Sequence, residues 1–339
     1  MMLFHHFLRR LLGALPVLAL VFVLVFMLVR IIPGDPAVTM LGPGATSQQI
    51  AALRHQLHLD QSLEAQFLAY TDQVLHGDLG HSLKTGRPLT DSLAEKLPAT
   101  IELALAATLL ALAIGLPAGV AAALHPHGWL DHTLRIAAMA GVSLPAFVTA
   151  LGLQWALGAW LGWLPVAGRQ SAWLALPPIT GFAILDAVIR GRPDLLLDAL
   201  AHIMLPALVL AGFLAASFSR LLRSSLVRVL GSPAIRAARA RGLSRHAIVL
   251  RHALRAAVVP TLPVVSIQFG DMLGGAILTE TVFSWPGIGR LIVDAIHNRD
   301  YPAIQSATLV FAAMFIVVSI LMDLLAMALD PRLRKEPAP

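Results

Sequence analysis

The sequence predicts an all-α, polytopic integral membrane protein with six transmembrane helices, and three observations predict it. Of the 339 residues, 57% are hydrophobic and 13% are charged, about half the ~25% charged share of a soluble domain. There is no Cys, which sets aside thiolate zinc, iron–sulfur clusters and a disulfide scaffold. The apolar residues gather into runs of the length that crosses ~30 Å of hydrocarbon, about 20 residues. With a mean hydropathy of +0.76, a soluble enzyme and a disordered chain are excluded at the start.

The runs are read in order. Leu11–Val29 is the first. It is long for a signal-peptide core and ends without a small-x-small cleavage site, so it is expected to stay as a span. Leu103–Leu124 is the second, Ile136–Leu164 a third interrupted by Pro145, and Ala199–Ser219 the fourth. Ala256–Thr279 is the fifth and carries Asp271, and Ala303–Met322 is the sixth. Trp173–Leu185 is short and holds Pro177-Pro178, so it is expected to lie at the interface rather than to span.

An even number of spans puts both termini on one side, and charge says which. Of the 25 basic residues, 15 fall in the segments on the side of the termini, including nine Arg between 220 and 255. Those segments carry a net charge of +12 against −3 for the opposite ones, and they are much shorter. The positive-inside rule then places both termini in the cytoplasm. The expected organisation is a cytoplasmic start and first span (1–32), an extracytoplasmic helical loop (33–98), a five-helix core (99–330) with a cytoplasmic loop at 220–255, and a cytoplasmic tail (331–339).

In the outer loop, Pro33-Gly34-Asp35-Pro36 is expected to end the first helix. Ile50, Leu53 and Leu57, then Leu63, Phe67, Tyr70 and Val74, recur at helical spacing. Ser47 is the expected N-cap and Gly77 the expected stop. A small helical cap packing on the span ends accounts for this pattern. His55 and His58 lie one turn apart, but a metal would need a third ligand.

The 220–255 loop has nine Arg, no Lys and no acid. Ser232 caps, Pro233 suits the first helical position, Ala234–Arg241 favours helix, Gly242 suits a left-handed terminus, and Ser244 caps a second helix over His246–Ala257. A solvated basic loop explains the charge but not the placed caps and glycine. DNA binding suits the charge, but a segment tethered at both ends leaves no room for a third helix and a core. A short helix that docks into a groove of a cytosolic partner explains both.

These residues carry a resemblance. Ile235-Arg236-Ala237-Ala238-Arg239-Ala240-Arg241-Gly242-Leu243-Ser244, continuing through Arg251-His252-Ala253-Leu254-Arg255 to Pro260, resembles the "EAA" coupling loop of ABC importer permeases. Arg236 and Arg255 stand where the wider superfamily has an acid and a Pro, which favours the peptide/nickel branch. Arg9-Arg10, Ile32-Pro33-Gly34-Asp35-Pro36, His76-Gly77-Asp78-Leu79-Gly80, His202-Ile203-Met204-Leu205-Pro206, Leu278-Thr279-Glu280-Thr281-Val282-Phe283-Ser284-Trp285-Pro286-Gly287-Ile288-Gly289 and Asp330-Pro331-Arg332 resemble the B-type permease of the same importers, in order along nearly the whole chain.

The resemblance implies the type I ABC importer permease fold and alternating access at a bacterial inner membrane. It also implies a homologous second permease, two cytosolic ABC ATPase subunits that bind ATP and Mg, an external solute-binding protein and a lipid surface, with no nucleic acid. ATPase coupling would fall on Arg236, Ala237, Ala238, Arg239, Arg241 and Gly242. The substrate class it favours is dipeptides, with oligopeptides, nickel, glutathione or other small amines as alternatives.

The chain has no G-x-x-x-x-G-K-[ST], H-E-x-x-H or G-x-S-x-G, so it is expected to be no enzyme itself and to bind no cofactor. An ion-coupled secondary transporter is the rival reading, but such proteins carry more spans and more intramembrane charge. Gln268 and Asp271, one turn apart, are the candidates for lining a translocation path; a hydrogen bond to a neighbouring helix is the other reading of Asp271. Glu102 is expected to be held by its helix dipole, and Asp323 to lie near the inner interface. Gly270, Gly274 and Gly275 are expected to permit close helix packing. Trp155, Trp160 and Trp163 are expected in an interfacial belt. Arg290, Asp294, Arg299 and Asp300 are candidates for a docking rim.

Overall fold

The computed structural model describes residues 2–31, 36–41, 44–56, 60–174 and 176–329. The Pro33-Gly34-Asp35 stop, Leu57, His58, the tail from 330 and the side chains of Arg9, Arg10 and Asp323 lie outside the described residues. In chain order the helices are α1 (Met2–Ile31), α2 (Pro36–Leu41), α3 (Ser47–Gln56), α4 (Leu63–Leu75), α5 (Leu89–Leu124), α6 (Trp129–Ser143), α7 (Ala146–Leu153) and α8 (Ala183–Ile189). They continue with α9 (Pro193–Leu230), α10 (Pro233–Ala240), α11 (Arg245–Ala247), α12 (Leu254–Val258), α13 (Leu262–Val282), α14 (Ile288–His297) and α15 (Tyr301–Leu329). Among the described residues there is no β-strand, only one isolated bridge between His81 and Pro88.

Helix covers most of each of the six expected spans, although in the third it stops at Trp160, short of Leu164. Among the described residues, three helices are long and apolar enough to cross a membrane: Leu89–Leu124, Pro193–Leu230 and Tyr301–Leu321. The third expected span is broken, because α6 ends at Ser143 and Pro145 stands at the N-cap of α7. Proline removes a backbone donor and pushes its predecessor out of the helical region, so the chain restarts there. α7 runs on into a π-helical turn, Gln154–Trp160.

Two helices exceed their expected spans. α5 begins at Leu89 rather than Leu103, because Asp91, Glu95, Lys96 and Glu102 lower the local hydropathy without breaking the helix. α9 runs on past Ser219 to Leu230, so Arg220, Arg223 and Arg228 sit on a helix and not in a loop. At 38 residues it is about 57 Å long, well beyond the ~30 Å hydrocarbon.

The core is built on α5 against α9. A Cβ on Gly115 would lie 3.1 Å from the Ala215 carbonyl, and one on Gly119 would lie 3.0 Å from that of Ser219. Contacts that advance together along both chains mean the two helices run parallel. Ala107, Ala111, Ala207 and Ala211 are buried in the same cluster with Leu103, Leu214, Phe218 and Leu222. Small residues let the backbones approach, and dispersion over that close contact replaces a hydrophobic drive that lipid cannot supply.

Buried ion pairs mark the two ends. At the basic end, Arg223 of α9 donates to both carboxylate oxygens of Asp131 on α6. At the opposite end, Arg169 donates to Glu102 Oε2, while Ile184 N donates to Glu102 Oε1 at 2.8 Å. Glu102 therefore lies deep within a longer helix than expected, and its partner is Arg169 rather than the helix dipole.

The first connection packs as a cap. Phe67 and Tyr70 of α4 meet Phe22 and Phe26 of α1, with ring centroids 4.9–5.9 Å apart. Ser62 caps α4, and Gly77 ends it at φ +79°. For α3 the cap is Thr46 and not Ser47. Thr46 Oγ1 accepts from Gln49 N while Gln49 Oε1 accepts from Thr46 N, a reciprocal capping box.

Arg223→Ala would leave Asp131 buried and unpaired. A loss of about 3–5 kcal/mol is expected, read as a lower unfolding temperature in detergent. Asp131→Leu with Arg223→Leu should recover most of it. The hydrogen bonds from Arg223 hold the Asp131 carboxyl down at about 2. The pair's contribution is therefore complete above the ordinary carboxylate range, ~3.9, and is lost only as pH falls through 2.

Candidate coupling helix and translocation face

α10 forms for local reasons. Pro233 is pre-set for the first helical position, and Ser232 Oγ accepts from Ile235 N at 3.4 Å. Arg241 follows as the C-cap, and Gly242 takes φ +77°. Ser244 Oγ then accepts from Ala247 N at 3.3 Å to start α11. A π-helical turn, Ile248–Ala253, connects α11 to α12.

One side of α10 is anchored. Ile235 is 3% exposed within the main core cluster, and Ala238 packs against that cluster. Burying Ile235 contributes about 1.5–3 kcal/mol, enough to hold a two-turn helix that would not persist alone. Arg236, Ala237, Arg239, Ala240, Arg241 and Gly242 are exposed. The expected docking set is thus divided: Ala238 packs on the chain's own core, and the free face is Ala237 and Ala240 among arginines. Ile235 was not among the expected residues, although an apolar residue inside an Arg/Ala helix was the signal.

Beside this helix opens a cavity of about 520 Å³, lined by Arg239, Leu243, Arg245, Val227, Leu230 and Ile248. It lies at the end of α5, where Arg245 NH2 donates to Leu124 O at 3.4 Å. Gly242 meets nothing within 4 Å. Only its left-handed backbone, which costs an L-residue roughly 1–2 kcal/mol, requires glycine there.

The opposite end carries a second constellation. Glu280, in the last turn of α13, is fully buried. It accepts from Thr100 Oγ1 at 2.7 Å and from Arg290 N at 3.0 Å. Thr100 Oγ1 in turn accepts from Ile288 N at 2.9 Å, and Trp285 Nε1 donates to Ala99 O at 2.9 Å. A Cβ on Gly287 would lie 2.3 Å from Glu280 Oε1, and one on Gly289 would lie 2.7 Å from Ile277 Cα. The Trp-Pro-Gly-Ile-Gly run is therefore a turn folded around a buried carboxylate. The sequence shows Glu280 only within the Leu278–Gly289 run, since its side-chain donor Thr100 lies 180 positions away.

Of the expected docking rim, Asp294 and Arg299 are exposed and Arg290 is half-buried. Asp300 is a correction: it is 3% exposed and accepts from Ser82 Oγ at 2.6 Å, so it ties the first connection to α15. Trp155, Trp160 and Trp163 are exposed, the first two stacked with centroids 6.1 Å apart. Among the described residues no cluster of three or more His, Cys, Asp or Glu is placed to hold a metal.

On α13, Val265, Phe269, Met272, Leu273 and Ala276 are buried in the core. A Cβ on Gly270 would lie 2.6 Å from the Phe315 ring, so Gly270 is a packing glycine. Gly275 makes an ordinary contact with Leu210, and Gly274 meets nothing within 4 Å, contrary to expectation. Asp271 is exposed on that open side. Gln268 is half-buried, and its Oε1 is buried without a hydrogen-bond partner. The two residues remain neighbours one turn apart, but at different depths.

Comparison with known proteins agrees with this architecture. Residues 115–335 match the family described as binding-protein-dependent transport system inner membrane component, and residues 2–104 match its N-terminal component. The chain is 41% identical to a dipeptide transport system permease of Alkalihalophilus pseudofirmus, over 96% of this chain and 98% of that protein. It is 42% identical to a probable D,D-dipeptide transport system permease of Escherichia coli, over 95% of each. A glutathione transport system permease of Salmonella choleraesuis is 38% identical over 97% of this chain and 99% of its own length.

The chain belongs to the family of binding-protein-dependent transport system inner-membrane components, the permease subunits of ABC importers. It is a multi-pass membrane protein and not itself an enzyme; ATPase and substrate-binding partners come with that membership. The secondary-transporter reading is set aside by the same match.

Two substitutions probe the two ends. Gly242→Asp, which adds a carboxylate to the exposed arginine-rich face, is expected to abolish uptake, whereas Gly242→Ala lowers it a few-fold; both should insert normally, as measured by the amount of protein in membranes. Thr100→Val leaves Glu280 Oε1 and Ile288 N without a partner. A loss of about 2–4 kcal/mol is expected, measured by thermal unfolding in detergent.

Proposed function

We propose that this chain is the permease subunit of an ATP-driven, binding-protein-dependent importer of dipeptides or short peptides. In this reading the chain has six spans with both termini on one side, and the basic residues of that side make it the cytoplasm. The chain pairs with a homologous second permease. The observation that carries this reading is α10: a capped helix anchored through Ile235 and presenting a small, arginine-flanked face at the basic end. Full-length similarity to permeases named for dipeptides supports the substrate class.

In this reading the ATPase pair, with ATP and Mg bound, closes and moves α10 through Arg236, Ala237, Arg239, Arg241 and Gly242. Ala238 and Ile235 transmit the movement because they pack on the core that α5, α9 and α13 share. Spans packed around that core then exchange inward for outward access, a switch between two packings rather than a continuous deformation. Gln268 and Asp271 stand on the translocation path.

The test is uptake of a labelled dipeptide into proteoliposomes holding this chain, a second permease, the ATPases and the binding protein. Accumulation is expected only with ATP in the ATPase compartment and with binding protein outside. Uptake that follows a proton gradient and ignores ATP would overturn the reading.

A further inference from the structure

Among the described residues, the carboxylates of the helical bundle have protein partners, with Asp271 the exception. Glu102 pairs with Arg169, Asp131 with Arg223, and Glu280 accepts from Thr100 and Arg290 N. Asp271 makes no hydrogen bond or ion pair among the described residues and is exposed. It is the tenth residue of α13, about 14 Å along a helix of about 31 Å, which on the six-span reading is close to mid-membrane. A carboxylate facing lipid at that depth costs about 2.5–3.5 kcal/mol. Its face must therefore meet protein or water rather than acyl chains.

The surroundings give that face its character. Ile267, Asp271, Gly274 and Leu278 form one exposed stripe at i, i+4, i+7 and i+11. Gly274, one turn from Asp271, presents no side chain and has open space where a Cβ would stand. Gln268, one turn the other way, keeps an unpartnered buried carbonyl oxygen. An anionic oxygen on an open face, with a gap beside it at Gly274, makes an acceptor site, and the Gln268 oxygen lies buried beneath it. Its complement is a compact cation with several N–H donors.

The geometry points to Asp271 as the residue of this permease that pairs with a primary ammonium group of the cargo as it crosses mid-membrane. This rests on the importer reading above and adds the chemical group selected. A peptide offers such a group from its amino terminus or from a lysine side chain. Moving an ammonium through a low-dielectric passage without a counter-charge is costly, and a fixed carboxylate offsets that cost at the depth where it is greatest.

The test compares the complete complex carrying wild-type chain, Asp271→Asn or Asp271→Glu. Labelled alanyl-alanine and alanyl-lysine are transported while ATP hydrolysis stimulated by binding protein is measured in the same vesicles. With Asp271→Asn, uptake per ATP hydrolysed is expected to fall at least about ten-fold, the worth of a charged hydrogen bond, while hydrolysis persists and Asp271→Glu restores part of the uptake. A fall for both peptides assigns the amino terminus; a fall confined to alanyl-lysine assigns the side chain.

Unchanged uptake of both peptides by Asp271→Asn would overturn the inference and leave the importer reading intact. Loss of assembly with the second permease would also overturn it, since the carboxylate would then serve the partner. A wild-type complex without ATP-dependent uptake would sink the importer reading itself.

Discussion

Everything in this fold hangs on the close, parallel packing of α5 and α9. Gly115 and Gly119 bring one helix against the backbone carbonyls of the other, and alanines carry the contact outward along both. In a bilayer, lipid tails are as apolar as leucine, so burial alone does not join two helices; close dispersion contact must do it. The consequence is a stiff pair. α9 extends past the hydrophobic span and delivers α10 at one end, and α5 extends the other way to receive the Trp285 turn.

The two ends are locked by different chemistry. At the basic end a charge pair, Asp131 with Arg223, fixes α6 on α9. At the other end Glu102 with Arg169, and Glu280 with Thr100, fix connections onto α5. Buried charges of this kind add little net stability but punish any rearrangement that separates them. They therefore hold the two ends of the α5–α9 pair in register with the connections packed on them. α13 is tied to α5 at its Glu280 end, bound on one side through Phe269, Met272 and Leu273 and open on the side of Asp271.

Local features were legible where a local rule governs them. Ser232, Pro233 and Gly242 delimit α10 because capping, a pre-set φ and a left-handed terminus each depend on a few adjacent residues. Pro145 broke the third apolar run as expected. The misses over Glu102 and Asp300 share one cause. Glu102 was given a dipole because Arg169 lies 67 residues away, and Asp300 was placed on a rim because Ser82 lies 218 residues away. The α5 boundary was missed because a hydropathy window measures lipid exposure, and the polar first turns of that helix lie among protein and water.

By itself the sequence determined that the chain enters a membrane as helices, where those helices lie, which end is basic, and that a short capped helix stands at that end. Hydropathy, charge and capping act over one helix or less, so they can be read along the chain. Only the tertiary structure decided which acids are paired, which glycines meet a neighbour, and which face of α13 is left open. The acids Glu102 and Asp300, for example, meet partners 67 and 218 positions away, brought together by packing that no local pattern encodes.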